Sequence, residues 1–204
     1  MNQSYFYLKM KEHKLKVPYT GKERRVRILL PKDYEKDTDR SYPVVYFHDG
    51  QNVFYSKESF IGYSWKIIPA IKRNPDISRM IVVAIDNDGM GRMNEYAAWK
   101  FQESPIPEQQ FGGKGVEYAE FVMEVVKPFI DETYRTKADC QHTAMIGSSL
   151  GVQYYPVYRF GITKTKLVCL GRFFHLQTGS TKEAFNRYIG VPETIALTSA
   201  SSSM

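Results

Sequence analysis

The stretch that constrains this chain most is TAMIGSSLG, Thr143 to Gly151. A short apolar run meets a glycine- and serine-rich turn with no residue between them. Thr143 to Gly147 read as a buried strand, and Gly147 to Gly151 fit the pattern G-x-S-x-G. When that pattern follows a strand and opens a helix, the strained turn lifts the oxygen of the central serine above the sheet. Ser149 is then a candidate nucleophile. Gly147 and Gly151 remove side chains where so tight a turn would clash. The N–H of Leu150, at the start of the next helix, would point at a developing oxyanion. A strand-to-helix turn without chemistry has the same local sequence, and the rest of the chain must decide between the two.

The strand-then-turn signature recurs twice upstream. PVVYFHDG, Pro43 to Gly50, and MIVVAIDNDG, Met80 to Gly89, are short β-branched runs stopped by Asp and Gly, and read as buried strands ending in loops. YFYLKM and RRVRILLP read as antiparallel strands near an edge. IGYSWKIIPAIKR reads as a helix with Trp65, Ile68 and Ile71 on one face. GVEYAEFVMEVVKPFIDETY, Gly115 to Tyr134, spaces Tyr118, Phe121, Val122, Val125, Phe129 and Ile130 as an amphipathic helix, kinked at Pro128. Residues 89–114, rich in Gly, Pro, Gln and Asn, read as a long functional loop. Alternating apolar strands and helices predict an α/β fold, a mostly parallel sheet with helices on both faces. Ligands of such sheets sit beyond the carboxyl ends of the strands. The loop after Pro43–Gly50 can supply a second oxyanion donor there, the N–H of Gly50 or Gln51. His48 reads as a structural histidine, since it precedes the serine.

Composition narrows the function. With 204 residues the chain is long enough for one domain with a real core, taken as 1–204. Net charge is +6, but residues 140–204 hold six Lys or Arg against two acids, so the excess comes from missing acids rather than a basic patch. Nucleic-acid binding is not expected. No apolar run approaches a membrane span. MNQSYFYLKMKEHKLKV lacks a signal-peptide pattern, and two cysteines, Cys140 and Cys169, are too few for a disulfide framework. A cytoplasmic setting is the expectation. FGGKG, 111–115, lacks phosphate-loop spacing, and neither a metal nor a cofactor is expected.

RVRILLPKDY, YPVVYFHDGQNVF, IVVAIDN, RMNEYAAW, GGKGVEYAEFVMEVVKPFIDETYRT and MIGSSLG come in one order over about residues 20–151. In this the chain resembles the esterase family of α/β-hydrolases that contains esterase D-like, feruloyl and acetyl-xylan esterase-like enzymes. The resemblance implies a serine carboxylic ester hydrolase with an acyl-enzyme mechanism, acting on a small ester or an acylated carbohydrate. It implies Ser149 as nucleophile and backbone amides near Gly50, Gln51 and Leu150 as the oxyanion hole. Arg92, Glu95, Tyr96 and Trp99 would lie in the loop bordering the pocket, with loop packing as the equal alternative.

Residues 152–204 depart from that pattern. The family order is Ser, then Asp or Glu, then His. After Ser149 there is no aspartate; the acids are Glu183 and Glu193, and the one histidine, His175, precedes both. His175 is the only base candidate on that side, and a structural or surface histidine is the reading set against it. Codons for the stretch after Gly151, read one nucleotide out of phase, can restore a helix-like sequence of the family's kind. The expectation is a frameshifted, truncated gene product with a sheet incomplete on its C-terminal side and a poorly ordered last quarter. Exposed sheet edges would favour pairing with a second copy. A non-catalytic ester- or carbohydrate-binding remnant is the alternative function.

Overall fold

The computed structural model describes residues 9–102, 110–148 and the backbone of 172–175. Six strands form one sheet: β1 Lys9–Lys16, β2 Glu23–Leu30, β3 Val44–Phe47, β4 Ile81–Ile85, β7 Thr143–Gly147 and β8 Arg172–His175, in the spatial order β1-β2-β4-β3-β7-β8. β4, β3, β7 and β8 run parallel, while β2 joins β4 antiparallel and carries β1 as a hairpin partner. A separate antiparallel pair, β5 Lys100–Gln102 and β6 Gln110–Gly112, lies outside this sheet.

Every residue of β3, β4 and β7 is buried. Their sequences are near-continuously apolar because both faces of the sheet are covered. On one face Ile28, Tyr46, Val83 and Met145 pack with Tyr118, Phe121, Val122, Val126 and Ile130. On the other, Leu29, Val45, Phe47, Val82 and Ile146 pack with Val53, Phe54 and Ile67. The α/β architecture expected from the sequence is therefore present. The antiparallel pair near an edge is present too: β1 is the edge and β2, buried along most of its length, lies one strand in. β1 extends through KEHKLK because an edge strand needs only alternate burial, and its outward lysines suit an edge.

The helices are shorter than their periodicity suggests. α1 covers Ile67–Arg73 only, since Gly62 and Lys66 before it adopt positive φ. The predicted helix at Gly115–Tyr134 is present as α3 Gly115–Glu120, a π-helical stretch Phe121–Val126 and α4 Lys127–Thr133. Pro128, which lacks an N–H, falls in the first turn of α4, and the π-helical stretch accommodates it. The predicted loop 89–114 also contains α2, Arg92–Glu95, and the β5–β6 pair. No described helix is long and apolar enough to cross a membrane.

Candidate active site

The site assembles where β3 and β7 end side by side. His48 N–H donates to the Ile146 carbonyl at 2.9 Å, which extends the β3–β7 ladder by one residue. The chain then turns sharply at Asp49, a non-glycine residue in the left-handed region with φ 54°. Gly50–Asn52 follow as a single 3-10 turn, closed by Asn52 N–H to the Asp49 carbonyl at 2.8 Å. Gly50 has to be glycine. A Cβ there would lie 2.7 Å from the Ile85 carbonyl carbon and from Asp86 Oδ1, and 2.8 Å from the Ala84 carbonyl carbon. The turn is wedged against the end of β4, where backbone cannot give way.

Asp49 is fully buried, and its charge is met from several sides. Arg92 grips it with two parallel bonds, Nε to Oδ1 at 2.7 Å and Nη2 to Oδ2 at 2.8 Å. Asn87 Nδ2 donates to Oδ1 at 2.6 Å. A bidentate guanidinium–carboxylate pair of this kind fixes orientation as well as charge. Arg92 Nη2 also reaches the Ser148 carbonyl at 3.3 Å, and Ser148 Oγ stands 3.5 Å from Asp49 Oδ2. One ion pair thus ties the turn after β3 to the residue after β7.

Around this pair lies an aromatic cage. Asp49 N–H donates to Tyr96 Oη at 3.0 Å. His48 Nδ1 is 2.9 Å from Tyr118 Oη, and both tyrosine rings pack on the imidazole. Burial drives the His48 pKa down to about 4, with a smaller opposing pull from Asp49 and a further push from Arg92. His48 is neutral at pH 7 and holds the strand end, as the sequence reading had it.

Farther back, β2 presents three arginines. Arg24 forms two bonds to Glu95, 2.7 and 3.0 Å, and Tyr19 Oη donates to the same carboxylate. Burial would discharge Arg24, but Glu95 outweighs it and the pKa rises. On the opposite face Arg25 and Arg27 share Asp86 and Glu58. A cavity of about 390 Å³ lies elsewhere, lined by Leu29, Leu30, Asp33, Ile71, Ile77 and Met80 among others, near the other end of the sheet.

Of the four residues expected to border the pocket, Arg92 and Tyr96 meet at Asp49. Glu95 is 1 % exposed and committed to Arg24, and Trp99 stands 72 % exposed before β5. Gly147, Gly50 and Gln51 are at the strand ends, and Gln51 Oε1 accepts from Asn87 N–H at 3.2 Å. Ser149, Leu150 and Gly151 lie outside the described residues. The backbone of His175 pairs with Gly147 across β7 and β8.

The sequence of residues 18–153 matches the family described as "Putative esterase". The chain belongs to that family. No curated protein matches it. Solved structures resemble the chain at low identity, so they speak for its fold. An IroE-like serine hydrolase from Shewanella oneidensis is 21 % identical with a TM-score of 0.59, over 74 % of this chain and 47 % of that one. The BES protein from Bacillus cereus is 18 % identical, TM-score 0.56, over 92 % and 69 %. A CE1 ferulic acid esterase from Anaeromyces mucronatus is 21 % identical, TM-score 0.52, over 84 % and 59 %. The match thus spans about half the length of the Shewanella hydrolase.

What sequence reasoning missed is Asp49 with Asn87, and the contact of Arg27 with the Gly50 carbonyl. The signal for Asp49 was present, since an Asp-Gly step after a buried strand admits a left-handed residue. Its partners Asn87 and Arg92 lie 38 and 43 positions on, and no local pattern ties them to it.

Proposed function

We propose that the chain is a serine carboxylic ester hydrolase. Ser149 is the nucleophile, and the N–H groups of Leu150, Gly50 and Gln51 are the oxyanion hole. The observation that carries this reading is the clamp from Asp49 through Arg92 to Ser148. It holds the turn bearing Gly50 and Gln51 to the strand end that leads into Ser149. In the reaction the Ser149 oxygen attacks the ester carbonyl carbon and its proton passes to a base. The oxyanion collapses, expels the alcohol and leaves an acyl-serine, which water then cleaves. The substrate class is a small ester or an acylated carbohydrate, in keeping with the ferulic acid esterase fold.

His175 is the base candidate, supported by its register beside Gly147. The test is hydrolysis of p-nitrophenyl acetate by the unmodified chain, Ser149→Ala and His175→Ala. Turnover lost in both variants supports the reading; turnover indifferent to Ser149→Ala would sink it.

Asp49 favours a second reading, a binding remnant whose chemistry is impaired. The carboxylate at the site is spent on Arg92 and Asn87, so it cannot orient a catalytic histidine. That reading is supported if the chain retains an ester without turning it over. Resequencing the coding DNA from codon 145 onwards tests its suggested origin: a clean frame with no family-like alternative would exclude a frameshift. Pairing of two copies through an exposed sheet edge is read out by the mass of the particle in solution.

A further inference from the structure

We infer that Arg27 is a positioning residue for this site: its guanidinium fixes and polarises the peptide between Gly50 and Gln51, and so aims the Gln51 N–H. What that N–H does rests on the esterase reading above; what Arg27 holds rests on geometry alone.

In a planar trans peptide the carbonyl and the following N–H point in opposite directions. Whatever pins the Gly50 oxygen therefore sets the direction of the Gln51 N–H. Two donors pin it, Arg27 Nη2 at 2.6 Å and Val53 N–H at 3.1 Å. The first is short and charge-assisted, the stronger kind. A cation on the carbonyl also draws electron density across the amide, which makes its N–H a better donor. Among the described residues the preceding peptide lacks that cation: the Asp49 carbonyl takes the neutral Asn52 N–H at 2.8 Å.

Arg27 is itself held on all sides. It is 3 % exposed, gives Nη1 to Glu58 Oε2 at 2.8 Å and Nη2 to Asp86 Oδ1 at 3.0 Å, and lies over the Phe54 ring. The register of β2 against β4 sets Arg27 opposite Ala84, one of the residues that wedge Gly50. Its Nε is buried without a partner. A side chain that only filled this space would do better as methionine, with no donor to strand. Arg27 strands one nitrogen and thereby sets another on the Gly50 oxygen.

Arg25 supplies the control. It binds Asp86 at 2.7 Å and Glu58 at 3.0 Å, the same two acids, and makes no bond to Gly50. The experiment compares Arg27→Met, Arg27→Lys and Arg25→Met in the full chain. It uses p-nitrophenyl acetate kinetics with Ser149→Ala as blank, together with the 1H–15N NMR resonance of the Gln51 amide. Arg27→Met is expected to lower kcat on the order of ten- to a hundredfold with KM within about twofold, because only the oxyanion loses its donor. The Gln51 resonance should move. Arg27→Lys should fall between, and Arg25→Met should leave both readings near the unmodified protein. A folded Arg27→Met with unchanged kcat or an unmoved Gln51 amide overturns the inference, as does an equal effect of Arg25→Met. If Arg27→Met does not fold, Arg27→Lys carries the same comparison, since it keeps the charge and loses the fork. If the unmodified chain is no faster than Ser149→Ala, the esterase reading has failed. The Gln51 amide then decides alone whether Arg27 sets that peptide: moved by the Arg27 variants only, it stands; unmoved, it falls.

Discussion

At the scale of single residues, the site depends on two positions where nothing else fits. Gly50→Ala forces a methyl group into backbone carbons 2.7 and 2.8 Å away, so the turn must leave the sheet. The expected result is a lower melting temperature together with loss of any Ser149-dependent ester hydrolysis, read by calorimetry and p-nitrophenyl acetate turnover. Arg92→Met strands the Asp49 carboxylate in a site with almost no water access. Removing one partner of a buried pair costs about 3–5 kcal/mol, which should appear as a clear drop in the urea midpoint. Arg92→Lys should recover only part of it, because an ammonium cannot make the parallel bonds. None of this could be read from HDGQN alone. That stretch announces a turn, but a buried charge becomes intelligible only with its partner, and here the partner is 43 residues away.

At the scale of elements, what was legible was what burial writes into local sequence. β3, β4 and β7 are apolar on both faces and stood out as runs. β1 was half hidden, because an edge strand with lysines outward looks like a polar loop. The segment 89–114 concealed α2 and the β5–β6 pair, since long-range bonds hold them. The Asn94 carbonyl takes Lys114 N–H, its side chain takes Gly112 N–H, and the Ala97 carbonyl takes both Gly113 and Gly115 N–H. Within the helical run Gly115–Thr133, Phe121 lies in the π-helical stretch, fully buried against the sheet. Phe121→Ala should cost about 3–5 kcal/mol in chemical denaturation, as large aromatic truncations in cores do. By contrast Phe60, Ile61 and Tyr63 stand 62–90 % exposed on the segment before α1. Changing all three to serine should leave the melting temperature nearly unmoved and should reduce self-association at high concentration.

At the scale of the whole molecule, acid sensitivity follows from histidines held neutral. His48 has its pKa lowered from 6.5 to about 4 by burial, and that of His13 is lowered too, by burial and then by Lys11. Unfolded chains bind these protons near pH 6.5 and the folded protein does not, so the unfolded state gains as pH falls. Stability is complete above about pH 6.5 and declines as pH drops towards 4. Urea midpoints at pH 7 and pH 5 should show that decline, and His48→Phe, if folded, should flatten most of it. The strand order has a consequence of another kind, in the timing of synthesis. β3 lies between β4 and β7, and Asp49 meets Ser148 across 99 residues of chain. At the usual pace of translation, roughly 5–20 residues per second, a nascent chain carries β3 with at least one bare flank for about 5–20 seconds before β7 is made. Through that interval the central strand of this sheet offers its open side to any passing strand, and the ribosome's surroundings must keep it from being taken.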